Sequence, residues 1–243
     1  MDKSIEEMTG EKTAQPLVKF DQITLHGREG KMFLTFNASK EKGEDGFYPR
    51  EELTQPVPLT FLVRRARLVK PSADGIKMYS DEYEDKNEVV SVYEQGNKVE
   101  TAPAYILKDK YDLKGEAIVY ARYKGEVVRL RMKGLSIQPH DDRNDFYSYI
   151  FSFDKEKGEN FWKYVTEIST EECETKNGKF FRMKFARKRP LTPDEIEAVK
   201  VQIHDTYTKI TRHKQAKREE PAVDISSPDT PETEEISPDD IPF

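Results

Sequence analysis

The sequence has a single cysteine, Cys173, among its 243 residues, so no intramolecular disulfide is available. A lone thiol suits a reducing compartment, and the chain reads as cytoplasmic. No run of about 18 apolar residues occurs, so no membrane span is expected. The stretch Met1–Glu7 is acidic and lacks the apolar segment of a secretory signal. A Gly-rich phosphate loop is missing, and nothing around Cys173 suggests an activated thiol. The four histidines, His26, His140, His204 and His213, are scattered. His140-Asp141-Asp142 alone is too little for a zinc site. The acidic run Ser80–Asp85 lacks the spaced carboxylates of a calcium loop and reads as a solvated loop. No metal, no other cofactor and no catalytic centre is therefore expected.

Charge is plentiful but unevenly placed. The net charge is −6, yet residues 219–243 hold nine acids and no Lys or Arg. Residues 1–218 alone carry +3, and without the acidic leader 1–14 they carry +5. Charged residues make up 35% of the chain, enough to keep a part of it unfolded. The Pro-, Glu- and Ser-rich tail 217–243 is the segment expected to stay disordered. Aromatic residues, at 11%, supply a core for the remainder, and 15–216 is read as one domain.

Periodicity within that domain points to strands. Met32–Phe36, Leu59–Val69 and Val89–Tyr93 read as strands, and 39–58 as a loop. Glu116–Tyr123 and Glu126–Ile137 form a hairpin about Lys124-Gly125, and Tyr164–Glu174 pairs with Lys179–Lys188 about Asn177-Gly178. Residues 103–112 suit a helical turn or two. Residues 146–164 hold eight aromatics, of which Phe146, Tyr149 and Phe153 fit helix or strand spacing almost equally. Thr192-Pro193-Asp194-Glu195 is a capping box, and Ile196, Val199, Ile203, Tyr207 and Ile210 form the apolar stripe of a helix ending near Lys214. That stripe suits closure of a barrel or pairing in a homo-oligomer. The expected class is mainly β (α+β): an OB-fold-like barrel with helical additions, a long C-terminal helix and an acidic tail.

Three strands alternate apolar with basic residues. Arg65 and Arg67 lie on the first, Arg129, Arg131 and Lys133 on the second, and Arg182 and Lys184 on the third. Strand side chains point alternately to opposite faces, so each strand offers a basic face. Gathered in one sheet, the three faces would form a cationic groove for a phosphate backbone. Tyr120, Tyr123 and Trp162 are the rings nearest to them and the candidates for stacking on bases. An ordinary solvated sheet face would show the same alternation.

The final residues are Asp239-Asp240-Ile241-Pro242-Phe243. They resemble the acidic tip of bacterial single-stranded DNA-binding proteins, which closes with several Asp followed by Ile-Pro-Phe. In such a tip the Phe ring fills an apolar pocket while its carboxylate meets a basic side chain. The acids steer the encounter and the proline stiffens the peptide. The resemblance implies a non-enzymatic protein that coats single-stranded DNA and recruits helicases, primases, polymerase subunits, recombination mediators or nucleases. It covers only the tip and tail. The body is longer than the family's DNA-binding domain, so the family's tetramer and stacking residues are not carried over. A divergent phage or mobile-element version fits those departures. Two alternatives stay open: a replication adaptor that carries the tip without binding DNA, and a DNA-processing enzyme.

Overall fold

Alternating apolar positions recur every second residue over much of the chain, and their burial against one another builds a large twisted sheet. The computed structural model describes residues 19–72, 75–137, 145–154, 156–175 and 178–219. Strands β1 (Asp21–His26), β2 (Lys31–Thr35), β3 (Arg50–Glu52), β4 (Val57–Ser72), β5 (Gly75–Ser80), β6 (Val89–Glu94) and β7 (Asn97–Pro103) precede helix α1 (Ala104–Tyr111). Then come β8 (Lys114–Tyr123), β9 (Glu126–Lys133), α2 (Phe146–Phe151), β10 (Tyr164–Thr175), β11 (Gly178–Pro190) and α3 (Pro193–Glu219). The architecture is mainly β, in spatial order β3-β2-β1-β9-β8-β4-β5-β6-β7, with β10 on β4 and β11 on β10. This path does not close on itself. No helix among the described residues is long and apolar enough to cross a membrane.

The hub is β4. It pairs with β8 over Thr60–Val69, with β5 at Val69–Ser72 and with β10 at Val57–Leu59. An irregularity between Phe61 and Val63 shifts the pairing, so these two side chains enter different cores. The β8–β9 turn needs two left-handed residues, and Lys124 (φ 49°) and Gly125 (φ 93°) supply them.

The first core lies on one side of the sheet. Phe61 meets Phe146, Tyr149 and Phe185 edge to face at 6.1–6.2 Å, with Ile23, Met32 and Leu130 fully buried around them. Of the aromatic cluster, Phe146, Tyr149 and Phe153 are core, Tyr147, Phe161, Trp162 and Tyr164 are half-buried and Phe151 is exposed, and helix α2 settles the open choice between helix and strand for 146–151. The Asp145 side chain caps α2 by accepting from the Ser148 N–H at 2.9 Å. On the opposite side, Val199 and Ile210 of α3 cover Leu62, Val63, Ile118 and Tyr120. The capping box is present: Thr192 N–H donates to Glu195, whose own N–H donates to Thr192 Oγ1. A third cluster joins Leu68, Met78, Val90, Val92 and Leu107 between β4–β6 and α1.

Several elements differ from the sequence expectation. The 39–58 loop contains β3 and the start of β4, where Pro58 sits in the section that pairs with β10. Strands β5 and β7 were not expected, because Lys, Glu and Asn interrupt their alternation. The second strand of the β8–β9 hairpin stops at Lys133 and turns through a 3-10 segment, Gly134–Ser136. The backbone of α3 runs to Glu219, past Lys214. The leader 1–14, His140-Asp141-Asp142, Asn177 and the tail 220–243 lie outside the described residues.

Candidate nucleic-acid interface

Because β4, β8 and β9 are consecutive in the sheet, two of the three basic strand faces do coincide. Arg65 stands opposite Ile118, Arg67 opposite Glu116, and Arg129, Arg131 and Lys133 opposite Tyr120, Ile118 and Glu116. The third strand is elsewhere. Arg182 and Lys184 belong to β11, which pairs only with β10, so the single three-strand groove is not formed.

The shared face is also compensated. Glu116, only 4% exposed, takes Arg67 at 2.5 Å and Arg131 at 2.7 Å, one guanidinium on each carboxylate oxygen. Burial pushes the Glu116 carboxyl up, but the two guanidinium charges more than offset this and hold it below its ordinary value. Burial likewise lowers Arg131. Arg65, 7% exposed, pairs with Glu84 at 2.8 Å and lies 5.0 Å from the Tyr207 ring centroid on α3. Arg129 donates to Gln22 at 2.9 Å and lies 3.8 Å from Glu82. Glu82 also accepts the Tyr120 hydroxyl at 2.8 Å. Burial first, and the Glu82 charge second, raise the Tyr120 phenol well above its usual range.

The acidic run at 80–85 therefore corrects the expectation of a solvated loop. The backbone of Tyr83 exchanges hydrogen bonds with Ala66 on β4 at 2.7 and 2.8 Å. This carries Glu82 and Glu84 along the strand edge to the arginines. Arg65, Arg67, Arg129 and Arg131, which β4 and β9 contribute to this face, are met by carboxylates of this segment and of β8.

The remaining residues are placed as follows. Arg182, 7% exposed, and Lys184 share Glu171 at 2.6 and 3.0 Å. Hydrogen bonds from Arg182, then from Lys184, lower the Glu171 carboxyl. Tyr120 packs edge-on against Phe20 at 4.9 Å and is 3% exposed, so its ring is core. Trp162 is half-buried against the second core, and Tyr123 packs partly against the first. Asp239, Asp240, Ile241, Pro242 and Phe243 lie outside the described residues.

One end of the basic face stays open. There a cleft of about 570 Å³ is lined by Lys114, Arg131, Lys133, Val69, Phe180 and Phe181, among others. Among the described residues its only carboxylate is Glu116, already committed to two arginines. Lys114 and Lys133 are exposed, and their side chains carry no ion pair or hydrogen bond among the described residues. Sequence reasoning missed Lys114, although its place two residues before Glu116 puts it on the same face. The chain matches no family model, no curated protein and no solved structure. Among the described residues no group of three or more His, Cys, Asp or Glu could hold a metal ion.

Proposed function

We propose that the protein binds single-stranded DNA without strong sequence preference and recruits replication, recombination and repair proteins through Asp239–Phe243. The observation that carries this reading is the sequence of the tip, with its acids, its stiffening proline and its closing aromatic ring. Support from the fold is electrostatic. The body has a positive surplus, and the cleft places two free lysines beside Phe180 and Phe181. Bases stacking on such rings contribute about 1–3 kcal/mol each. The reading includes an OB-fold-like barrel, supported by the way β4 passes its pairing from β8 to β10 while wrapping one apolar core.

A second reading is favoured by the compensation of the arginines: an adaptor that carries the tip without binding DNA. Fluorescence anisotropy of a labelled oligo-dT across a salt series separates the two. The DNA-binding reading expects affinity that falls steeply with salt. It also expects tighter binding after truncation at Arg218, because the nine tail acids no longer compete for the basic surface. No binding by either form at low salt would leave the adaptor reading. A peptide ending in Asp-Asp-Ile-Pro-Phe, tested against a primase or nuclease that takes the bacterial tip, addresses recruitment independently, and Phe243→Ala should abolish its binding.

A further inference from the structure

Between β2 and β3 the chain makes a closed excursion whose backbone is tied down internally. Phe36 N–H donates to Pro49 O at 2.9 Å across its mouth, and Gly43 N–H donates to Phe47 O at 2.8 Å near its tip. The Asp21 carboxylate on β1 accepts from Ala38 N–H, Ser39 N–H and Ser39 Oγ at 2.8, 3.1 and 2.6 Å. Closed loops of this kind, with ends joined and tips held, are frequently functional.

This loop holds cations against rings and leaves them without counter-ions. Lys40 Nζ lies 3.7 Å from the Phe36 ring centroid, and Lys42 and Lys19 lie 5.5 and 5.8 Å from that of Tyr48. Lys19 also donates to the Tyr48 hydroxyl at 3.3 Å. Neither Lys40 nor Lys42 has an ion pair among the described residues. A hollow of about 380 Å³ opens between Lys19, Ser39, Lys40, Glu41, Lys42 and Tyr48, lined by three lysines and one carboxylate among the described residues. A ring positions an ammonium group without neutralising it, so each lysine stays available to a phosphate. At the tip, Phe47 is 74% exposed, although Asp45 Oδ1 fixes its backbone by accepting its N–H at 3.0 Å. A ring with so little packed on it, carried on a backbone tied at both its N–H and its carbonyl, suits a stacking partner.

We propose that the loop spanning 36–49, with Lys19, is a principal contact for single-stranded nucleic acid. Phosphates sit in the Lys19–Lys40–Lys42 hollow and a base stacks on Phe47. This rests on the DNA-binding reading, and it assigns the contact to residues other than the strand arginines.

The test uses the full chain and labelled oligo-dT over a salt series. Each single-strand phosphate that a lysine neutralises adds about 0.7 to the slope of log K against log[salt]. Lys40→Ala combined with Lys42→Ala should therefore make that slope shallower by about 1.4. Phe47→Ala should weaken binding by about 5- to 150-fold and leave the slope unchanged, because stacking releases no counter-ions. All three side chains lie on the loop surface, so thermal melts should match wild type. If wild type binds and both variants keep its affinity and slope, this assignment is overturned while the DNA-binding reading stands. If wild type itself fails to bind, the DNA-binding reading falls and takes the assignment with it.

Discussion

The arginines of the β4–β8–β9 face and the lysines of the 36–49 loop carry the same charge in different sequence settings: the arginines alternate with apolar residues, whereas Ser39, Glu41 and Gly43 flank Lys40 and Lys42. In the fold they have opposite surroundings. The arginines are largely buried, and each is met by a carboxylate: Glu84, Glu82 or Glu116. Lys40 and Lys42 are exposed and meet rings. The first arrangement spends its charge inside the protein, where desolvation demands a partner. The second keeps its charge for solvent or a ligand. Basic residues on a strand are therefore a poor guide to a binding face until their neighbours are known.

The largest effect that sharpens this comparison is expected at Glu116. Glu116→Ala strands two largely buried guanidinium groups and should destabilise the fold by about 3–5 kcal/mol, measured by urea unfolding. Its DNA affinity, measured where the variant remains folded, should be unchanged or tighter. A loss of DNA binding in a folded Glu116→Ala protein would break the contrast, because it would make the arginine network part of the interface. The pH dependence has a defined sign. Glu116 has its carboxyl depressed in the fold, so its stabilisation is fully present above its unfolded value, about 4.3. That contribution is lost as pH falls below this unfolded value and through the lower folded one. Wild type should lose stability over that acidic window, and Glu116→Ala should show a flatter profile there.

A smaller effect is expected on the β10–β11 arm. Glu171→Ala removes the carboxylate that Arg182 and Lys184 share, but Glu171 and Lys184 are each about a third exposed, and water screens the pair. The cost should be about 1 kcal/mol in the same urea titration. The smallest stability effect belongs to the open cleft. Lys114→Ala with Lys133→Ala should change stability by less than about 0.5 kcal/mol, because neither side chain is paired. If the cleft shares the DNA path with the loop, the salt slope should fall by about 1.4 in that double variant as well. An unchanged slope would confine the interface to the loop.

How much of this was legible beforehand depended on how local each signal was. The capping box at Thr192–Glu195, the Lys124-Gly125 turn and the strands around 59–69 and 116–133 are written in short-range patterns, and the structure follows them. Strands β5 and β7 were not legible, because they sit at or near the sheet margin and are held by pairing more than by apolar alternation. The loop lysines carried a faint signal in Phe47-Tyr48 between Lys42 and Arg50, which read simply as a charged, proline-containing connection. The acidic run at 80–85 was misjudged because its partners lie on strands far along the chain.

The sequence by itself determined the mainly β character, the position of the long helix and the aromatic composition of the core, since each follows from periodicity and capping over a few residues. It also carries the Asp-Asp-Ile-Pro-Phe ending, whose resemblance needs no fold to be seen. Only the tertiary structure decided which charges are spent and which are free. That depends on strand order and on the return of residues 82–84 along β4, and charge pairing acts through space over a few ångströms without regard to separation along the chain.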